Sequence, residues 1–148
     1  MTVESNHFYR LPFTYMCLFC SIVAGDIPTE KIYEDEHTLA FLDIAPVNTG
    51  HTLVIPKTHA TNIFDIDADT FSHVMKTVHT LAPKVKKVTG ADGINIAINN
   101  EEAAGQAVFH LHVHIIPRFS DDGHGLWHGK EATPEDLKEM GEKLREIL

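Results

Sequence analysis

The chain has 148 residues, 43% of them hydrophobic, which suits one domain around one core. Its net charge of −9, from 12 basic and 21 acidic side chains, argues against nucleic acid or an anionic membrane as partner. A phosphate-bearing ligand must then be held by a local cluster of groups.

Residues 1–16 read as an N-terminal arm, with no apolar period over Met1–Arg10. Leu11–Ala24 is apolar enough to raise a signal peptide. Pro12, Thr14 and two cysteines interrupt it, and Glu4 spoils a cationic start, so the cytoplasm is expected. No stretch approaches the roughly 20 apolar residues of a membrane span. Leu18, Phe19, Ile22 and Val23 fall at helical spacing before Gly25, predicting a short helix over Cys17–Ala24. Lys31–Tyr33 and Thr38–Asp43 predict two strands around a polar turn, and Thr52–Ile55 a third, ended by Pro56. Phe71, Val74, Met75, Val78, Leu81, Val85 and Val88 predict one face of a long helix starting near Asp67–Asp69. Pro83 is expected to kink or divide it near Leu81. Ile94, Ile96 and Ile98 alternate as a fourth strand. Thr133-Pro134-Glu135-Asp136 reads as a helix start: N-cap, proline at the first position, then acids. The apolar stripe that follows, Leu137, Met140, Leu144, Ile147 and Leu148, is expected to pack on the body or on a second subunit.

The stretch Val108–Ile116 reads as a fifth strand, pairing like a hairpin with Ile94–Asn99. The elements together predict an α+β domain with a mainly antiparallel sheet. Residues two apart on a strand share a face, which lines up His110, His112 and His114 in steps of roughly 6.5 Å. Phe109, Leu111, Val113 and Ile115 then face the core. With 11 histidines in the chain, chance produces such an interleaved row roughly 0.5% of the time. A row of imidazoles can bind metal, or it can serve phosphoryl or nucleotidyl transfer. In the second use one neutral ring attacks while its neighbours donate N–H bonds to phosphate oxygens or to the leaving group. Cys17-Leu18-Phe19-Cys20 is open to three readings: a redox pair, half of a zinc site, or two buried thiols.

His110-Leu111-His112-Val113-His114-Ile115-Ile116 resembles the His-φ-His-φ-His-φ-φ signature of the histidine triad (HIT) family. Two further stretches in family order are similar to it: Phe41 to His59, with Gly50-His51 and Pro56-Lys57-Thr58-His59, and Asn99 followed by Gly105-Gln106. The resemblance covers residues 17–118, leaving 119–148 as a C-terminal extension with a helix. It implies a HIT fold, a five-stranded meander with two main helices, usually paired into a homodimer.

The resemblance also implies roles. His112 would attack the α-phosphorus of a purine nucleoside monophosphate conjugate, forming a nucleotidyl-histidine that water hydrolyses. His114 would donate to a phosphate oxygen or the leaving group, and His51 would support the triad. Asp43 would hold the ribose, while Phe41, Ile44, Leu18, Phe19 and Ile22 would contact the base. Asn99 and Gln106 would lie on the phosphate side, with Gly105 allowing close backbone approach. Ala107 stands where the nucleoside phosphoramidase branch has serine, and Pro117-Arg118 is more like the dinucleoside polyphosphate branch. Many microbial members carry a zinc set that matches Cys17, Cys20, His59 and His110, implying one structural zinc per chain. The activity implied is cleavage of an adenosine phosphoramidate-type bond. The alternatives are a dinucleoside polyphosphate hydrolase and a nucleotide-binding interaction protein with vestigial activity.

Overall fold

The computed structural model describes residues 17–148; the expected N-terminal arm lies outside them. Helix α1 (Leu18–Ala24) ends on Gly25, whose left-handed backbone (φ +83°) lets its N–H bond back to Ile22. Strands β1 (Lys31–Glu34) and β2 (Thr38–Leu42) form a hairpin. Its turn is organised by Asp35, which accepts bonds from the N–H groups of His37 and Thr38. Strand β3 (Thr52–Pro56) follows, then α2 (Ala68–Thr89), capped by the Asp67 carboxylate on Thr70 N. Pro83 does not divide α2, which runs unbroken for 22 residues. Val88, expected on its buried face, is 86% exposed. Strands β4 (Gly93–Ala97) and β5 (Val113–Arg118) complete the sheet, joined by a loop with one 3-10 turn at Glu102–Ala104.

All neighbouring strands are antiparallel, in the order β1-β2-β3-β5-β4. The expected simple meander is therefore corrected: α2 carries the chain past one strand position, and β5 returns into the gap between β3 and β4. The sheet is covered on both faces. On one, Ala40, Val54, Val113 and Ile115 pack against Val74, Val78, Leu81 and Val85 of α2. On the other, Leu39, Phe41, Leu53 and Ile55 pack against Phe19 and Ile22 of α1. The central strands are accordingly apolar in both directions, as a two-sided sheet requires.

Helix α3 (Pro134–Arg145) starts as its sequence dictates, with Thr133 Oγ1 accepting from Asp136 N. It buries none of its residues, so among the described residues its apolar stripe covers nothing on the body. No helix among the described residues is long and apolar enough to cross a membrane.

Candidate active site

The histidine stretch is not one straight strand. β5 begins at Val113, and the chain bends over Val108–His110. Leu111, Val113 and Ile115 are fully buried against α2, but Phe109, expected beside them, is 51% exposed because the bend precedes it. The bend is fastened by Leu111 N–H donating to Ala60 O (2.7 Å) and by the buried Gln106. Gln106 donates to Thr61 O and Val108 O and accepts from Glu101 N (2.7 Å) and Asn62 Nδ2. Glu101 has φ +70° and ψ 163°, a conformation costing roughly 1–3 kcal/mol outside glycine. Gln106 thus holds a strained loop in place between β4 and β5.

Bending brings His110 away from its two companions and into a cluster with Cys17, Cys20 and His59. His110 Nε2–H donates to Pro56 O (2.8 Å), which leaves the lone pair on Nδ1. That atom lies 3.5 Å from each cysteine sulfur and 3.2 Å from His59 Nδ1, and Cys20 Sγ lies 3.3 Å from His59 Nδ1. Bond lengths of about 2.3 Å to sulfur and 2.05 Å to nitrogen around a tetrahedral zinc require S···N edges of about 3.5 Å and an N···N edge of about 3.3 Å. The four donors fit such an ion, and the Pro56 carbonyl behind His110 is the outer support that metal-bound histidines use. Burial, with Cys17 alongside, raises the Cys20 thiol to about 11; a dication on the pair would reverse that shift.

His112 is buried at the start of β5 with the Phe19 ring edge-on to it at 5.2 Å. Its Nδ1–H donates to His110 O (2.7 Å), so Nε2 keeps its lone pair. His51, from the loop before β3, accepts from Val47 N–H at Nδ1 (3.1 Å), which puts its proton on Nε2. That proton is donated to His114 Nδ1 (2.9 Å), so the His114 proton sits on Nε2. His114 Nε2 is buried and has no hydrogen-bond partner among the described residues. A buried donor left unpaired is uncommon enough to mark a place for a ligand atom. Burial holds His51, His110 and His112 below the ordinary imidazole range. His114 falls to about 4, through burial first and then His112 and His51 beside it. All four rings are neutral at pH 7, as a nucleophile and a ligand must be. Asp43, His51 and His114 also approach within 4.8 Å of one another, but the proton on His51 Nε2 makes this a relay and not a ligand set.

His112 and His114 open on a cavity of about 370 Å³. Leu18, Phe19, Ile22, Phe41 and Ile44 line one part of it; Asp43, Asn99, Gly105, Ala107, His112 and His114 line another. Ile44 is 98% exposed, so it stands at the mouth. Gln106 does not reach the cavity. Ile27, Pro28 and Thr29, which follow α1, also line it, and nothing in their spacing in the sequence marks them for it. A second cavity of about 460 Å³ adjoins the first, sharing His114 and Asn99 and walled by Ile116, Leu126 and Trp127. Arg118 is turned from the main cavity to Asp122, Asn95 Oδ1 and His124 O.

Residues 24–121 match the model of the HIT domain. The chain is 46% identical over 136 residues to "Protein hit" of Bacillus subtilis, covering 89% of this chain and 94% of that one. It is 41% identical to the adenosine 5'-monophosphoramidase hnt1 of Schizosaccharomyces pombe, over 86% of this chain and 95% of that one. A zinc-bound histidine triad protein from Mycobacterium smegmatis superposes with a TM-score of 0.69 at 39% identity, over 89% of this chain and 97% of that one. With the histidine signature, the two-sided sheet and the cavity in agreement with these likenesses, the chain belongs to the HIT domain family.

Proposed function

We propose that this protein hydrolyses a purine nucleoside monophosphate conjugate, of the adenosine phosphoramidate type, through a nucleotidyl-histidine intermediate. The observation that carries the reading is the proton pattern of two rings on one cavity: a free lone pair on His112 Nε2 and an unpaired N–H on His114 Nε2. A nucleophile beside a hydrogen-bond donor is what displacement at phosphorus needs. The phosphoramidase hnt1 among the relatives agrees with the hydrolase class.

In the first step, His112 Nε2 attacks the α-phosphorus and the bond to the leaving nitrogen breaks. The leaving nitrogen departs as an amine, taking its proton from solvent, while His114 Nε2–H donates a hydrogen bond to the phosphate. In the second, water displaces the imidazole from phosphorus and gives up a proton to solvent, so the histidines end as they began. Asp43 takes the ribose hydroxyls, and Phe19, Ile22, Phe41, Leu18 and Ile44 contact the base. Asn99 and the backbone at Gly105 face the phosphate, and the adjoining cavity by Trp127 takes the remainder of the leaving group. Cys17, Cys20, His59 and His110 would hold one zinc, which supplies no reaction chemistry and ties α1 to the histidine segment. Two thiols facing two imidazoles stay competent for metal in a reducing compartment, which favours the cytoplasm. The outer edge of β4, unpaired among the described residues, is where a second copy would extend the sheet into a homodimer.

A dinucleoside polyphosphate hydrolase is the second reading, favoured by Ala107, which lacks a hydroxyl toward the leaving group. Hydrolysis of an adenosine phosphoramidate beside a diadenosine polyphosphate separates the two. Faster phosphoramidate cleavage is expected, and Ala107→Ser should raise that preference by less than about tenfold. Tight nucleotide binding with no turnover of either compound would instead mark a nucleotide-binding interaction protein.

A further inference from the structure

Outside both histidine clusters, one carboxylate collects more hydrogen bonds than any group in the cavity. Asp122 follows β5, its side chain is 5% exposed, and it accepts from five donors. Arg118 Nε (2.7 Å), Phe119 N (3.0 Å) and Asn48 Nδ2 (3.0 Å) bind Oδ2; Arg118 Nη2 (3.0 Å) and His124 N (3.0 Å) bind Oδ1. An ion pair with Arg118 needs only the arginine contacts. The other three reach further, and two of them lead back to the cavity.

Asn48 belongs to the loop that precedes His51. Its side chain also donates to Pro117 O (2.8 Å), and its own carbonyl accepts from His51 N (3.0 Å). His124, held by its backbone on Asp122, donates from ring Nε2 to Val47 O (3.2 Å). Val47 is the residue whose N–H meets His51 Nδ1. Asp122 therefore grips Val47 and Asn48 through two separate links, and these neighbours fix His51 by its backbone and by its ring. Gly50 completes the loop at φ +93°, where a Cβ would stand 2.5 Å from Thr89 Cγ2.

We propose that Asp122 is a positioning residue of the active site: by holding the loop at Val47 and Asn48 it keeps the His51 proton on Nε2 and so sets His114 as the donor. Without that grip, Val47 N–H drifts from His51 Nδ1 and the ring loses the bond that fixes its tautomer, leaving only the Asp43 carboxylate, 3.7 Å from Nε2, to favour a proton there. His114 Nδ1 then loses its steady donor, and its own proton no longer stays on the cavity side. The role of His114 rests on the function proposed above; the tautomer of His51 does not.

The test uses the full-length, metal-loaded chain with labelled histidines, reading the ring nitrogens of His51 by NMR and assigning them with His51→Gln. Asp122→Asn keeps the shape. Whichever way the amide turns, its NH₂ faces either Asn48 Nδ2 or His124 N, so one link is lost. The wild type should show the His51 proton on Nε2 alone. Asp122→Asn should show a mixture, with kcat reduced roughly 10- to 100-fold and KM within about twofold. A folded Asp122→Asn protein with an unchanged His51 tautomer overturns the proposal. If Asp122→Asn does not fold, Asn48→Ala decides, because it leaves the Arg118–Asp122 pair intact: a mixed tautomer upholds the proposal and an unmixed one sinks it. A tautomer shift in a chain whose wild type hydrolyses neither substrate upholds the positioning and rejects the hydrolase.

Discussion

Two clusters built from the same side chain flank His112, and they are wired in opposite senses. In the cluster of His110, His59, Cys17 and Cys20, a carbonyl at Pro56 draws the proton of His110 to Nε2 and turns the Nδ1 lone pair inward. In the pair of His51 and His114, a backbone N–H at Val47 occupies the lone pair of His51 and turns protons inward. One arrangement gathers lone pairs and suits a cation; the other presents a donor and suits a phosphate oxygen. A backbone carbonyl in one place and a backbone amide in the other decide it. The ring type alone carries no such information. His112 sits between them, its Nδ1–H held by the carbonyl of His110, so one hydrogen bond joins it to the cysteine–histidine cluster.

The sharpest way to separate the clusters is to remove the ring between them. His112→Ala should reduce turnover by at least about 10⁴-fold while nucleotide binding and metal content persist, measured by steady-state kinetics, calorimetry and metal analysis. Survival of activity would reject His112 as nucleophile. Next in size is the cation cluster. Cys20→Ser should abolish stoichiometric zinc and lower unfolding stability by on the order of 5 kcal/mol, read by chemical denaturation with and without a chelator. Because α1 carries both Phe19 and Cys20, turnover should fall as well. The proton cluster shows itself in pH. His114 is depressed in the fold to about 4 from an ordinary value near 6.5, so the unfolded chain binds its proton first. Its contribution is fully present above pH 6.5 and is lost as pH falls toward 4, at about 1.4 kcal/mol per unit. His51 is shifted in the same direction. His110 and His112 add to it, so unfolding stability between pH 7 and 4 should fall more steeply than one group accounts for, and His114→Phe should make the slope shallower. Gln106 belongs to neither cluster but anchors the loop beside both. Gln106→Ala leaves the Thr61 and Val108 carbonyls and the Glu101 amide without their partner, and should cost about 2–3 kcal/mol in denaturation.

Much of this was legible in the sequence, and the reasons are local. Alternating and helical apolar periods marked the five strands and three helices, and Gly25, Asp67 and Thr133 marked their ends. The candidate ligand set and the cavity residues came from the family resemblance, and the structure brings each group together, Gln106 excepted. What the sequence did not carry was the bend. A strict alternation over Val108–Ile116 reads as one strand, yet the hydrogen bonds that break it come from Ala60 and from Gln106, far along the chain or across a loop. The strand order was hidden for a similar reason, since insertion of β5 between β3 and β4 depends on where α2 leads the chain. Asp122 lies in an Asp-Asp-Gly stretch that reads as an ordinary turn, and only its five partners in space distinguish it from Asp121.

As the proposed nucleophile, His112 becomes covalently nucleotidylated during turnover. Rapid mixing of enzyme with an adenosine phosphoramidate, an alkaline quench that spares the phosphorus–nitrogen bond, and peptide mass spectrometry test it directly. An adenylyl group is expected on the peptide containing His112, forming before steady state and absent in His112→Ala. Turnover at full rate with no adduct on any histidine would mean that water attacks phosphorus directly, and would contradict it.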